Sequence, residues 1–518
     1  MNEDHQNSSW TLQLGLLCLG LLGGIIWRRR ARGYFPLPPG PKSLPILGSL
    51  LELPEQEDWV KYSTWNRKYG DLVYLHLPRD SILILGTVQV ALDLFEKRSA
   101  IYSSRSYSVM DELTMWDFNM GLMPYSNTWR MHRKAIHEHF HLGVVSRYES
   151  IQLEATRSFL QSALENPEDV KQHVRQMFTA MIVQAVYGKR VENLNDEYVM
   201  TAQKAVEGLS QTHLPGKFWV EYFPLLRYLP AWVPGTRFQK VASYYRRFVE
   251  DMRDVPFDLI KDDMAKGLAR DSIAQKMIRK LDDKYAGTPS YGESELIARN
   301  ITGVAYAAGT DTTTSAAQSF LLAMVLFPHV QREAQAELDM LVGLSRLPDI
   351  GDLDSLHYIR AIALESLRWA PVLPLGVSHM LIVDDEYQGY SIPKGTVVIP
   401  NVWAMLHNPK DYPAPGEFDP RRYLKDGQLD PAVRSPLTIA FGFGRRICPG
   451  RHFAFNSLFL FIASVLHVYN IEARLGPDGQ PLANRVRATS GLFSSPEVVP
   501  CDFVVRSERA KQLILNEA

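Results

Sequence analysis

The stretch FGFGRRICPGRHFA, Phe441 to Ala454, sets Cys448 between a glycine-rich, doubly basic approach and the apolar run RHFAFNSLFLFIASVL, which has the pattern of a buried helix. Pro449 follows the thiol, and proline suits a first helical turn because its missing N–H has no intrahelical partner to lose. The thiol is therefore expected just ahead of a helix N-terminus, whose free N–H groups and partial positive charge favour a thiolate. Gly442, Gly444 and Gly450 strip bulk from the loop, so that backbone can approach something large and flat. Phe441 is placed to shield the sulfur. A lone cysteine taken by itself reads as an inert buried residue; a single shielded thiolate held by backbone amides meets the needs of an axial haem ligand.

Other thiol chemistries fall away on counting. Cys18, Cys448 and Cys501 are the only cysteines in 518 residues, too few and too scattered for a disulfide framework or a four-thiolate zinc site. The 56 basic and 57 acidic side chains nearly cancel, so charge points to no nucleic-acid partner.

The N-terminus departs from a soluble pattern. WTLQLGLLCLGLLGGIIW, Trp10 to Trp27, is 18 residues without a charge, long enough to cross a bilayer as a helix, with a tryptophan for each interface. RRRAR follows at Arg28 to Arg32, which predicts residues 1–9 on the lumenal side and the rest of the chain in the cytosol. The charges lie on the wrong side for a cleaved signal peptide. Asn7-Ser8-Ser9 fits a glycosylation sequon.

Residues 28–48, basic and then proline-rich, are expected to form an extended, semi-rigid hinge between the anchor at 10–27 and a catalytic domain at 49–518. DLVYLHLPRDSILILG (Asp71 to Gly86) alternates as a hairpin does, and Ser126 to Leu341 is mainly helical by spacing. Leu214 to Gly235 interrupts those helices with six aromatics and four prolines, either an internal packing loop or a surface that dips into the bilayer and gates a lipophilic substrate. Leu381 to Pro400 reads as short strands turning at Gln388-Gly389 and Pro393-Lys394-Gly395. The irregular region Asn401 to Leu437 is too long to be idle, so it is functional or pinned by specific contacts. The expected fold class is mainly α (α+β), a helix-rich body with small sheets.

Five further signals accompany the thiol. AAGTDTTTS, Ala307 to Ser315, places small residues at Ala308 and Gly309 and a carboxylate beside a hydroxyl at Asp311 and Thr312. Thr312 and Thr313 can bond back to their own helix. Glu365 and Arg368 in ESLR lie three apart on one helical face. PRRY supplies Arg422 between Pro420 and Tyr423. Trp129 and Arg133 in WRMHR stand one helical turn apart. His379 occurs in LGVSHM, with Met380 after it.

The pattern F-x-x-G-x-x-x-C-x-G at Phe441, Gly444, Cys448 and Gly450 resembles the haem-binding loop of the cytochromes P-450, and the other motifs follow that family's order over nearly the whole chain. The style of PGPKSLPILG and EFDPRRYL is similar to the microsomal enzymes of fungi. The resemblance implies the cytochrome P-450 fold with a single N-terminal transmembrane helix. It implies haem b with Cys448 as thiolate ligand to the iron, Trp129, Arg133, His379 and Arg446 at the propionates, and Ala308, Gly309 and Phe441 against the ring. Relatives often carry arginine where Met380 stands. Asp311 and Thr312 become the acid–alcohol pair that delivers protons during dioxygen activation, and Glu365, Arg368 and Arg422 a buried structural cluster.

The activity so implied is monooxygenation, hydroxylation or epoxidation of a hydrophobic small molecule with O2 and NADPH-derived electrons. Those electrons are implied to come from a NADPH–cytochrome P-450 reductase, with a cytochrome b-type protein as a further donor, at the endoplasmic reticulum bilayer. Substrate contacts are expected in Tyr107 to Met123, at Val304 to Gly309, at Val372 to Val377 including Leu375, and at Leu492 and Phe493. A terpenoid or other secondary metabolite is the preferred substrate, ahead of an aromatic or indole type. Two alternatives stay open: an isomerase or dehydratase of the same fold that needs no reductase, and a non-catalytic haem-binding or membrane-tethered interaction protein. Retention of Asp311-Thr312 argues against the isomerase.

Overall fold

Alternation in LVYLH and SILIL yields antiparallel strands β1 (Leu72–His76) and β2 (Ser81–Leu85), the hairpin expected at 71–86. The computed structural model describes residues 35–516 except 46, 55, 79, 192, 194 and 213–216. The expected membrane anchor, its lumenal tail, its basic flank, the sequon and Cys18 all lie outside the described residues.

Helices of twelve residues or more are labelled in chain order: α1 (Asp58–Tyr69), α2 (Asn127–Phe140), α3 (Glu149–Glu165), α4 (Val170–Tyr187), α5 (Glu197–Thr212), α6 (Arg237–Ala265), α7 (Ile273–Tyr285), α8 (Tyr291–Leu326), α9 (Pro328–Leu341), α10 (His357–Trp369) and α11 (Arg451–Val468). The helical reading of 126–341 thus resolves into α2 to α9. Short strands follow: β3 (His379–Met380), β4 (Asp385–Tyr387), β5 (Tyr390–Ile392) and β6 (Val397–Pro400). Gln388 and Gly389 turn β4 into β5 at φ of 52° and 78°, the positive pair that a two-residue hairpin turn demands. The main sheet runs β1-β2-β6-β3, with β6 parallel to β2.

The prolines expected to form a hinge do not form a free spacer over their described part. Pro39 accepts from the Tyr74 N–H and Pro36 from the Ser391 N–H, both at 2.8 Å. A Cβ on Gly40 would lie 1.9 Å from the Tyr74 carbonyl oxygen, so only glycine lets the segment dock there.

Helix α8, 36 residues long, crosses the core and packs against α2, α4, α5, α6, α7, α10 and α11. Helix α11 is apolar on every side and correspondingly buried. Among the described residues it alone is long and apolar enough to cross a membrane, yet 78% of it is buried in the protein, where it serves as a core helix.

Candidate active site

Small side chains along one stripe of α8 (Val304, Ala305, Ala308, Gly309, Thr312, Ala316) form a wall of a cavity of ≈ 340 Å³. The Cys448 loop with Phe441, Gly442, Pro449 and Gly450 supplies another part of its lining. Helix α11 starts at Arg451 with Gly450 as its N-cap, so Pro449 precedes the helix instead of opening it. The Cys448 N–H donates to Phe441 O at 2.8 Å, which closes the loop on itself.

The net effect on the thiol differs from the sequence expectation. Burial pushes the Cys448 thiol up; the Gly450 N–H, Arg133 and Arg451 pull the other way without prevailing. Desolvation of a buried charge outweighs one N–H and nearby cations in this balance.

The glycines divide their work differently as well. A Cβ on Gly444 (φ 53°) would sit 2.1 Å from Phe95 O, so this residue seats the loop on the protein. A Cβ on Gly309 would meet Ile182 Cγ1 at 2.6 Å, so its smallness serves the α8–α4 approach while its backbone lines the cavity. A Cβ on Gly450 would meet nothing within 4 Å.

Cations gather at one end of the cavity. Arg133, Arg446, His379 and Trp129 line it as a set, together with Arg105, which sequence reasoning missed. No pattern in SRSY marks Arg105; only its burial in the fold does. Arg446 donates to the carbonyls of Ser103, Met120 and Met123 and lies 4.2 Å over the Trp129 ring. Arg105 donates to Gly121, Val377 and Ser378, and Arg133 to Ile447. Trp129 Nε1 donates to Met120 O. Burial, then the charge of Arg133, brings Arg446 down to about 9, and burial lowers Arg105 and Arg133 too.

No aspartate or glutamate lines this cavity among the described residues. One buried guanidinium (Arg105) and two half-buried ones (Arg133, Arg446) without a counter-charge are unfavourable unless an anion joins them. Haem carries two carboxylates, a flat apolar ring and an iron that accepts sulfur, so the residues present fit it. His379 Nδ1 lies 2.7 Å from Tyr102 O, its ring stacks on Phe95 at 3.9 Å, and burial keeps it neutral. A carbonyl only accepts, so Nδ1 carries the proton and Nε2 is left as an acceptor.

Thr312 lines the cavity and donates to Ala308 O at 2.7 Å. Thr313 also lines it but makes no such back-bond, and α8 runs on unbroken. Asp311 is directed elsewhere. It lies 3.2 Å from Arg175 on α4, with its carboxyl pushed up by burial and drawn down by that guanidinium.

Val304, Val372, Leu492 and Phe493 line the cavity, as do Trp116, Asn119, Met120 and Leu122 from the expected 107–123 segment. Leu375 does not. It packs against the Tyr62, Trp65 and Ile399 cluster beside the sheet, because the chain turns at Gly376 (φ 57°) next to Pro400. Ile182, Val206 and Leu209 join the wall from α4 and α5, positions that α-helical spacing alone cannot tell from core.

Behind the cavity, Glu365, Arg368 and Arg422 form the buried cluster expected of them. Arg368 pairs with Glu365 at 2.7 Å with both side chains 0% exposed, and Arg422 reaches it at 3.1 Å. Arg368 also donates to Leu406, Pro415 and Glu417 carbonyls, Arg422 to Pro413, and Trp369 to Gly416, which pins the long irregular region. Arg445, which carried no role in the sequence, is exposed and bonds the Tyr125 hydroxyl.

A family model described as cytochrome P450 matches residues 38–490. Cytochrome P450 monooxygenase COX2 of Coprinopsis cinerea is 39% identical over 503 residues, covering 97% of this chain and 95% of that protein. Cytochrome P450 monooxygenase COX1 of the same fungus is 39% identical over 485 residues, 92% of this chain and 93% of that protein. Tryptamine 4-monooxygenase of Psilocybe cyanescens is 37% identical over 501 residues, 95% of this chain and 98% of that protein.

Proposed function

The chain belongs to the cytochrome P450 family and is a monooxygenase; from that premise we propose that it oxidises a neutral, lipophilic, terpenoid-like secondary metabolite at the endoplasmic reticulum membrane. Haem, bound through Cys448, supplies dioxygen activation and transfer of one oxygen atom to a C–H or C=C bond. The rest is the work of this chain's own residues.

Arg105, Arg133 and Arg446 offer cationic N–H groups to the propionates, while Trp129, whose only side-chain N–H is given to Met120 O, supports Arg446 with its ring. A propionate at His379 Nε2 requires uptake of a proton, because the neutral ring offers only a lone pair there. The apolar wall of Val304, Val372, Leu492 and Phe493 orients substrate and excludes water. Thr312 holds a hydroxyl on the cavity side of α8, and Asp311, paired with Arg175, is the nearby carboxyl that can take up and release a proton.

The substrate class rests on one observation: among the described residues the cavity wall carries no carboxylate. A protonated amine such as tryptamine, named for the Psilocybe relative, would find no carboxylate on that wall to pair with its ammonium. A neutral molecule incurs no such penalty.

Membrane association is supported by the loop at 214–235. Over its described part Trp219, Phe223, Leu225, Tyr228 and Trp232 are exposed, Trp232 by 82%. Aromatic and leucine side chains in water on one short segment suit a bilayer interface. Electrons are proposed to come from NADPH through a membrane reductase, with a cytochrome b-type protein as a further donor. Exposed Arg130, Lys134 and Arg445 on α2 and the cysteine loop offer a cationic surface to an acidic redox partner.

The test of the haem assignment is the reduced carbonyl spectrum. A red-shifted thiolate band is expected and must vanish in Cys448→Ala; its persistence there sinks the assignment. For the substrate class, neutral terpenoids are expected to give substrate-type spectral shifts and NADPH-coupled products. Tight binding of protonated amines in preference would refute it.

A further inference from the structure

The exposed apolar loop is bordered by cations that form no ion pair among the described residues. Lys217, Arg237, Lys240 and Arg247 are exposed, and none has a carboxylate within ion-pair distance among the described residues. Three nearby acidic groups are already engaged, Glu250 with Arg246, Glu207 with Lys204 and Glu112 with Arg227, while Asp251 stands exposed one turn beyond Arg247 on α6, outside ion-pair distance of it. Burial and the charge of Arg237 both lower Lys217.

Two of the four cations share a concavity. Ala231, Gln239, Lys240, Ser243, Tyr244 and Arg247 line a surface hollow of ≈ 430 Å³. Lys240, Ser243 and Arg247 lie three, four and seven apart on α6, hence on one face. Arg247 rests over the Tyr244 and Phe248 rings at 5.3 and 4.6 Å. A guanidinium stacked on rings keeps its N–H edge free for a phosphate, and Lys240 adds a point charge and Ser243 a hydroxyl. Gln239 donates to the carbonyls of Arg227 and Leu229, which ties the apolar loop to the same hollow.

We propose that this surface docks on an anionic phospholipid leaflet, with a phosphodiester headgroup between Lys240 and Arg247 and with Leu225, Tyr228 and Trp232 in the interfacial layer. The occupant follows from the two chemistries side by side. Leu225 is 80%, Tyr228 78% and Trp232 82% exposed, which a soluble anion would leave in water. An acidic protein surface would answer the cations and leave that crest unmatched. The proposal rests on the membrane reading of the loop and adds to it a selectivity for headgroup charge. Each cation near such a leaflet strengthens association by roughly fivefold.

The test uses the full-length holoenzyme in phosphatidylcholine vesicles with and without phosphatidylserine. Spin-labelled phosphatidylserine is expected to be immobilised in preference to spin-labelled phosphatidylcholine. In Lys240→Gln/Arg247→Gln that preference should fall by roughly fivefold for each cation removed, with the reduced carbonyl spectrum intact. An unchanged preference in the variant overturns the proposal. Loss of the preference on adding inorganic phosphate at constant ionic strength overturns it too, since the site would then be one for soluble anions. Quenching by brominated phosphatidylcholine, compared between the wild type and Trp232→Phe, separately reads loop insertion. Absence of any difference there refutes the membrane reading itself.

Discussion

Arg175 on α4 and Asp311 on α8 meet at 3.2 Å, and this contact draws the carboxylate away from the cavity that the adjacent Thr312 lines. Burial raises the Asp311 carboxyl and Arg175 opposes the rise. Replacing Arg175 by leucine removes the opposing charge, so the carboxylate form exists only at higher pH. The acidic limb of kcat should therefore move up by about one pH unit with little change in KM. A pH–rate profile of Arg175→Leu checks this, and an unmoved limb would detach Asp311 from proton handling.

The hydroxyl of Thr312 has its own signature. Thr312→Val keeps the shape of the cavity wall and deletes the hydroxyl, so NADPH consumption should continue while product falls and peroxide appears. Measuring peroxide per NADPH distinguishes this from simple loss of substrate binding.

Glu365 accepts from Arg368, Arg422, Tyr423 and the Asp419 N–H at once, in a fully buried position. Glu365→Ala strands two guanidiniums in the interior and should cost about 3–5 kcal/mol. The irregular region would lose its anchor, and haem retention should fall with it. Thermal unfolding and haem content after purification measure both.

Glu221 accepts from the backbone N–H groups of Val109 and Met110 at 3.1 and 2.8 Å and from the Ser108 hydroxyl at 2.8 Å. Arg227 grips Glu112 from the same loop at 2.6 Å. Together they fasten the exposed loop to the 107–123 segment that carries Trp116 and Asn119 into the cavity wall. Glu221→Ala, about 1 kcal/mol by analogy with lost helix caps, should speed ligand entry severalfold. Stopped-flow spectral shifts report that rate.

His407, stacked on Trp403 at 4.2 Å, is brought down to about 4 by burial and then by Arg368. The unfolded ring titrates near 6.5, so the unfolded state binds the extra proton first. Stability is then full above pH 6.5 and is lost as pH falls from there towards 4. His407→Phe should flatten the acidic slope by about 1–2 kcal/mol between pH 7 and 5, read from denaturant midpoints.

The features legible in the sequence share one property: their meaning lies within a few residues. Glu365 and Arg368 pair because three residues make most of a helical turn, and Gln388-Gly389 turn because such a tight hairpin needs positive φ. The order of the motifs carried the family. Long-range partners were not legible. Arg105 becomes a cavity cation only when the chain brings 105 beside 377 and 446, and Leu375 leaves the cavity because Gly376 turns it towards the sheet. Gly309 and Gly444 were expected to admit a ring, but their Cβ positions are claimed by Ile182 and Phe95.

By itself the sequence determined the helix-rich class, the lone thiol with its loop and the threonine-bearing helix by local periodicity and spacing, and the buried charge cluster through its resemblance to a family. Only the tertiary structure decided where those groups face: Asp311 towards Arg175, three arginines into one uncompensated end of the cavity, and Lys240 and Arg247 beside an exposed aromatic crest. Charge and burial act through space, and distance along the chain does not measure distance through space.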